Sequence, residues 1–209
     1  SGKYNNATGT VGFTSCIDCR AGTYAPAEAS KEYSDCLECP KGKYSSEVAA
    51  TFASLCRNCP RGTWLAVTGS DNYTACIDCV PGKYNQFQGS DAESDCTDCV
   101  PGMYSTKVRA TAEAECRDCG RGKFSNVSGA PGAVYCAECP SGRWASTQVN
   151  DDLEDCIKCG VGRYGSNPAQ PTADSCAACT PGRYADVEGT NGLAACTQCG
   201  PGMFSTTHA

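Results

Sequence analysis

Large apolar side chains are scarce in this 209-residue chain. Leu, Ile, Val and Phe together number 24 (5, 3, 11 and 5), well under the share of about 20% that lets a chain bury enough apolar surface to offset its conformational entropy. A conventional core of packed helices or sheets is therefore excluded, and cross-links have to replace it. No apolar stretch approaches the roughly 18 residues that span a bilayer, and no signal peptide or lipidation motif is present. The 17 basic residues form no run and are outnumbered by 23 acidic ones, for a net charge of −6, which argues against nucleic-acid binding. With one histidine, His208, and no nucleophile–base constellation or phosphate loop, an enzyme is the weakest reading.

Cysteine is what the chain has instead: 20 residues, close to one in ten. They fall as ten C-x-x-C pairs, from Cys16/Cys19 to Cys196/Cys199, at a constant period of 20 residues. A glycine keeps the same beat from Gly2 to Gly202, and an aromatic follows it two residues later every time, from Tyr4 to Phe204. Each unit reads C-x-x-C-x-x-G-x-aromatic and then eleven variable residues, which change in composition but never in length. Constant length across ten units implies that each lies against the next, because one extra residue would break the register.

The fold class expected is all-β with little regular structure, a disulfide-laddered, β-solenoid-like rod of 20-residue coils. Sustained helical periodicity is absent and Gly or Pro punctuates every unit; Ala-rich patches such as Val48 to Ala53 and Thr111 to Glu115 allow one helical turn. Gly-Lys-Tyr-Ser and Gly-Arg-Trp-Ala read as a turn glycine entering a brief strand. A weaker turn signal sits mid-unit at Gly9, Gly69, Gly89, Gly129 and Gly189. Residues 1–209 form a single array, and the absence of caps at its ends suggests a segment of a longer chain.

Three chemistries compete for the cysteines. A dithiol switch needs an activating helix in a βαβ setting, which nothing here supplies. Zinc is compatible with C-x2-C-x16-C-x2-C spacing, and C-x-x-C-G recurs at Cys119, Cys159 and Cys199. Haem attachment is excluded because no C-x-x-C precedes a histidine. Disulfides are favoured, with an extracellular location, no cofactor and no metal. The sequons at Asn6, Asn72 and Asn126 agree with that location and are candidate N-glycan sites.

Three pairings respect the repeat. Joining the two cysteines of one C-x-x-C makes a small ring that extended backbone holds too far open. Joining Cys16 to Cys39 spans more than a coil. Joining the second cysteine of one pair to the first of the next encloses each variable segment and ties points nearly one coil apart, and it is preferred. It involves Cys19 and Cys36, Cys39 and Cys56, Cys59 and Cys76, Cys79 and Cys96, Cys99 and Cys116, Cys119 and Cys136, Cys139 and Cys156, Cys159 and Cys176, and Cys179 and Cys196. Cys16 and Cys199 then need partners in units beyond the chain.

The unit C-x-x-C-P-x-G-x-Tyr-Ser, clearest from Cys36 to Ser45, resembles the cysteine-rich repeats called ephrin-receptor-like, and is similar to the first half of tumour-necrosis-factor-receptor modules. That resemblance covers essentially the whole chain and implies the Cys19–Cys36 type of pairing. The invariant spacing and the missing second half-module depart from the receptor pattern.

Two charged columns complete the reading. The residue before the second cysteine is acidic at Asp18, Glu38, Asp78, Asp98, Asp118 and Glu138, and the residue after the glycine is basic at Lys3, Lys43, Lys83, Lys123, Arg143, Arg163 and Arg183. Five residues apart, they could face one another, although solvated surface is the favoured expectation. Acidic clusters at Asp91, Glu93 and Asp95, and at Asp151, Asp152, Glu154 and Asp155, lack a calcium-loop pattern and read as surface. The aromatic column is expected to shield the cystines. The function expected is structural: part of a long extracellular or cell-surface rod or filament with a mechanical and protective role, whose partners are neighbouring repeats or copies of itself. The alternative is the stalk or ligand-binding ectodomain of a surface receptor or adhesin.

Overall fold

A computed structural model describes residues 1–5, 16–28 and 30–204. They divide into two bodies, Ser1–Thr97 with Lys107–Glu115, and Asp98–Thr106 with Cys116–Ala209. Both are built from the same unit. Regular structure among the described residues is limited to two-residue strands, isolated bridges and three-residue 3₁₀ turns, and no helix is long and apolar enough to cross a membrane.

One unit begins at a second cysteine. After Cys39 the chain turns through Pro40 to Lys43, closed by the Lys43 amide donating to the Pro40 carbonyl at 3.1 Å, with Gly42 at φ +75°. A turn with positive φ at its third position requires glycine there and tolerates proline at the second. Val80-Pro81-Gly82-Lys83 and Thr180-Pro181-Gly182-Arg183 have that composition. The strand Lys43–Tyr44 follows. The variable segment then leads to a 3₁₀ turn, here Ala53–Leu55, where the Cys56 amide donates to the Ala53 carbonyl at 3.1 Å. The next strand, Arg57–Asn58, returns antiparallel, with Lys43 opposite Asn58 and Tyr44 opposite Arg57. Finally the Cys59 amide donates to the Gly42 carbonyl at 2.8 Å. The same register recurs at Thr23–Tyr24 with Leu37–Glu38 and at Lys123–Phe124 with Ala137–Glu138.

The repeat thus folds as short strands with little helix and a regular disulfide ladder, as it implies, but the strands pair differently from a flat coil. A coil of 20 residues would stack residue i on residue i+20 in parallel. Instead the named strands pair antiparallel inside each unit, and parallel bridges between units are isolated, as between Tyr4 and Ser30 or Tyr44 and Ser70. The physical reason is the disulfide with the 3₁₀ turn beside it, which folds the variable segment back on the strand that precedes it.

Neighbouring units are joined by backbone hydrogen bonds on a fixed offset. With the turn glycine counted as position two of each 20-residue unit, the amide at the fifth position donates to the carbonyl at the tenth position of the next unit: Ala25 to Ala50, Ser45 to Ser70, Leu65 to Ser90, Ser125 to Asn150 and Ala145 to Gln170, at 2.9–3.0 Å. The turn glycine amide donates to the fifth-position carbonyl of the next unit, as from Gly22 to Ser45 at 2.7 Å and from Gly122 to Ala145 at 2.9 Å. These two columns are narrow and buried. Ala25, Ser45, Leu65, Asn85 and Ala145 fill the first, and Ala50, Ser70, Ala110, Ala130 and Asn150 the second. Cystines and these small residues are the core, which explains how the chain folds with so few large aliphatics.

The contact reaches one unit further. The carbonyl of the mid-unit turn lies against the glycine two units back: a Cβ on Gly22 would come within 2.1 Å of the Gly69 oxygen, and one on Gly122 within 2.3 Å of the Ala169 oxygen. Each unit is therefore fitted to the next and to the one after it. An inserted residue would displace two interfaces at once, and this accounts for the invariant length.

Candidate functional site: the disulfide ladder and the surface beside it

The structure joins Cys19–Cys36, Cys39–Cys56, Cys59–Cys76 and Cys79–Cys96 in the first body, and Cys99–Cys116, Cys119–Cys136, Cys139–Cys156, Cys159–Cys176 and Cys179–Cys196 in the second. Each bridge spans 17 residues of sequence, with Cα atoms 5.4–6.0 Å apart, inside the range a cystine accepts without backbone movement. On the chain-entropy account a loop of this length contributes about 3 kcal/mol. Cys16 and Cys199 are half-buried free thiols.

The aromatic column shields the ladder. Tyr4 packs on Cys19, Cys36 and Ala25; Phe124 packs on Cys139, Cys156 and Ala145; Tyr164 does the same to Cys179, Cys196 and Ala185. Each ring is thus set on the bridge that follows it. Its cross-strand partner is exposed: Ile17 opposite Tyr4, Leu37 opposite Tyr24, Ile77 opposite Trp64 and Ile157 opposite Trp144.

The charged columns meet across the strand pair rather than five residues apart. Lys3 is opposite Asp18, with Nζ 2.7 Å from Oδ1, and Lys123 is opposite Glu138 at 4.0 Å. Hydrogen bonding to Asp18 raises the Lys3 pKa above its ordinary 10.5. At three places where the opposing residue is not acidic, the column holds arginine, which finds a different acceptor. Arg143, Arg163 and Arg183 face Lys158, Ala178 and Gln198. Their Nη1 groups donate to the carbonyls of Cys156, Cys176 and Cys196 at 3.0, 2.9 and 2.9 Å. The guanidinium reaches a cystine carbonyl and satisfies an acceptor beside the bridge. Elsewhere in the first body Lys107 lies 2.7 Å from Glu115. That hydrogen bond, with a second from Thr111, holds the Glu115 carboxyl below its ordinary 4.5.

The acidic clusters are engaged in turn capping. Asp155 Oδ2 accepts from the Asp151 and Asp152 amides at 2.8 and 3.3 Å, and Asp152 Oδ1 accepts from the Glu154 amide at 2.6 Å. Asp95 Oδ2 accepts from the Asp91 and Ala92 amides. Asp151, Asp152 and Asp155 bring carboxylate oxygens within 4.8 Å of one another, and the hydrogen bond and charge of Asp155 raise the Asp151 pKa above its ordinary 3.8. Among the sequons, Asn6 lies outside the described residues. Asn126 is exposed, and so is Asn72, whose Oδ1 accepts from the Thr74 amide at 2.7 Å and from the Thr74 hydroxyl.

One constellation occurs twice in the first body. Tyr4 meets Tyr33 edge-on at 5.8 Å, with the Arg20 guanidinium 5.7 Å from the Tyr33 ring centre; Tyr44 meets Tyr73 at 6.2 Å, with Arg109 at 5.3 Å. These are surface cation–π clusters.

Sequence reasoning did not find the buried fifth and tenth positions or the full extent of the mid-unit turn. Gly69, Gly89, Gly129 and Gly189 adopt positive φ as expected, but so do Ala49, Arg109 and Ala169, at +58°, +60° and +56°. Gly9 lies outside the described residues. The shared backbone is fixed by one hydrogen bond: the amide at this position donates to the second-cysteine carbonyl of an earlier unit, from Ala49 to Cys19 at 2.8 Å and from Arg109 to Cys79 at 2.9 Å. A residue-type column hides such a position whenever an alanine or arginine tolerates the strain.

The fold and its ladder define a disulfide-stabilised, cysteine-rich repeat protein. Residues 2–56 match the family model described as "Tyrosine-protein kinase ephrin type A/B receptor-like", and the 20-residue ladder continues beyond the matched span. No curated protein was found to match the chain.

Proposed function

We propose that the chain is one continuous array within a long extracellular rod or filament, with a mechanical and protective role. One observation carries this reading: the same interlock, each unit bonded to the next and pressed against the one after it, recurs in both bodies with the same offsets. Such packing adds an interface term with every unit, so the stability of an array grows with its length. Its partners are neighbouring repeats, or further copies of the chain placed end to end, and Asn72 and Asn126 are the exposed positions for N-glycans. The match of residues 2–56 to a receptor-like family favours a second reading, the stalk or ligand-binding ectodomain of a surface protein.

Reduction tests the structural reading. Thiol treatment should abolish resistance to heat and protease while a chelator leaves it intact. Electron micrographs should show rods whose length rises in proportion to the number of units. A chain that unfolds with chelator, or that images as a compact particle, defeats this reading.

A further inference from the structure

The covalent topology of the ladder divides the backbone into two parts with different mechanical standing. Between Cys19 and Cys36 the chain is doubly connected, through 17 peptide bonds and through the cystine. Between Cys36 and Cys39 it is singly connected through Leu37 and Glu38. The same alternation repeats to Cys196. The turn, the first strand, the variable segment and the 3₁₀ turn all lie inside loops, and the exposed Val48, Val67, Phe87, Tyr73 and Asn72 lie with them.

We propose that this chain is a nick-tolerant tether, in which continuity and tension run through the cystines and two-residue links, bypassing the variable segments. Exposed loop tips are where proteases cut first. Here hydrolysis of any one loop bond adds a water and leaves both ends attached to the same cystine, so the tether is not severed. Under tension the cystine, not the loop, is drawn taut. A fully stretched unit then spans about 16 Å, against about 70 Å for 20 unconstrained residues. The variable segments are thereby free to change side chains without altering how the chain bears force. The tensile role rests on the structural reading above; the tolerance of cuts rests on connectivity alone.

Residue placement makes the test selective. Of the 17 aromatics, Tyr4, Phe13 and Phe204 lie outside the ladder, and the other fourteen lie within loops. The full chain, with free thiols alkylated, would be digested in urea with a protease that cleaves after aromatic residues, using the Leu37→Gln variant to remove a secondary site in a link. Without reductant the ladder from Cys19 to Cys196 should migrate as one species, shedding only the short peptides between two cuts in one loop, and with reductant the ladder itself should fall to short fragments. A protease that cleaves after basic residues also reaches Arg57, Arg117 and Lys158 in links. It should divide the ladder into four separate pieces without reductant, besides the short peptides freed between two cuts in one loop. Fragmentation in the first digest, or a single species in the second, overturns the proposal. Single-molecule stretching should give an oxidised contour roughly four-fold shorter than the reduced one; equal contours overturn the tensile part. If both digests behave as stated but micrographs show no rods, the structural reading fails while the tolerance of cuts stands.

Discussion

Gly42 faces the carbonyl of Gly89, two units further along the chain, so closely that a Cβ on Gly42 would stand 2.1 Å from that oxygen. Positive φ alone would favour glycine here; the approaching carbonyl makes it mandatory. Gly182 has a similar φ, +81°, but a Cβ there would meet nothing within 4 Å.

That contrast separates strain from packing. Gly182→Ala should cost about 1 kcal/mol, the penalty of a left-handed conformation. Gly42→Ala should cost several kcal/mol more, since backbone of another unit has to move. Urea midpoints with the disulfides intact would measure both, and equal losses would show that the two-unit contact contributes nothing.

Ala49 and Ala169 hold left-handed backbone without being glycine. Ala49→Gly should raise stability by about 0.5–1 kcal/mol, the relieved strain exceeding the added freedom of the unfolded chain. The amide that donates to the Cys19 carbonyl at 2.8 Å is kept. A fall in the urea midpoint would count against this account of the column.

Asn150 is fully buried and satisfied: its Nδ2 donates to the Lys123 carbonyl at 2.7 Å and to the Thr147 carbonyl at 3.1 Å, and its Oδ1 accepts from the Thr147 hydroxyl. Asn150→Ala strands the Lys123 contact and opens a gap, at a cost of about 1–3 kcal/mol. Hydrogen exchange should show the loss concentrated at the Ser125 amide, whose acceptor is the Asn150 carbonyl.

Stability should fall at both ends of the pH range, for separate reasons. The Glu115 pKa is lowered by Lys107, so its contribution is complete above the unfolded value near 4.5 and is lost as pH falls through the folded one. The Lys3 pKa is raised by Asp18, so its contribution is complete below 10.5 and is lost as pH rises through the folded value. Lys107→Gln should flatten the acid limb and leave the alkaline limb in place; urea midpoints across pH would show it. Asp151 behaves oppositely, because its pKa is raised by Asp155. Its charge opposes folding above that pKa and ceases to do so as pH falls, so Asp151→Asn should raise the urea midpoint slightly at neutral pH and leave it unchanged in acid.

Much of this architecture is legible residue by residue. Period, turn glycines, short strands and the enclosing cystines follow from columns of Cys, Gly and aromatic residues, because each of those types has few conformational or chemical substitutes. The core was not legible, since Ala25, Ser45, Leu65 and Asn85 share one buried position and have only limited bulk in common. The geometry of the charge pairing is illegible for a related reason. Lys3 and Asp18 meet across an antiparallel pair, and sequence distance does not reveal which way a two-residue strand runs.

The sequence by itself determined the unit, its length and its dependence on cross-links, because too few apolar side chains remain to hold any other fold. Only the tertiary structure decided what each unit touches. Backbone amides and carbonyls, identical in every residue, bond to the next unit and press on the one after it, and side-chain identity carries no record of those partners.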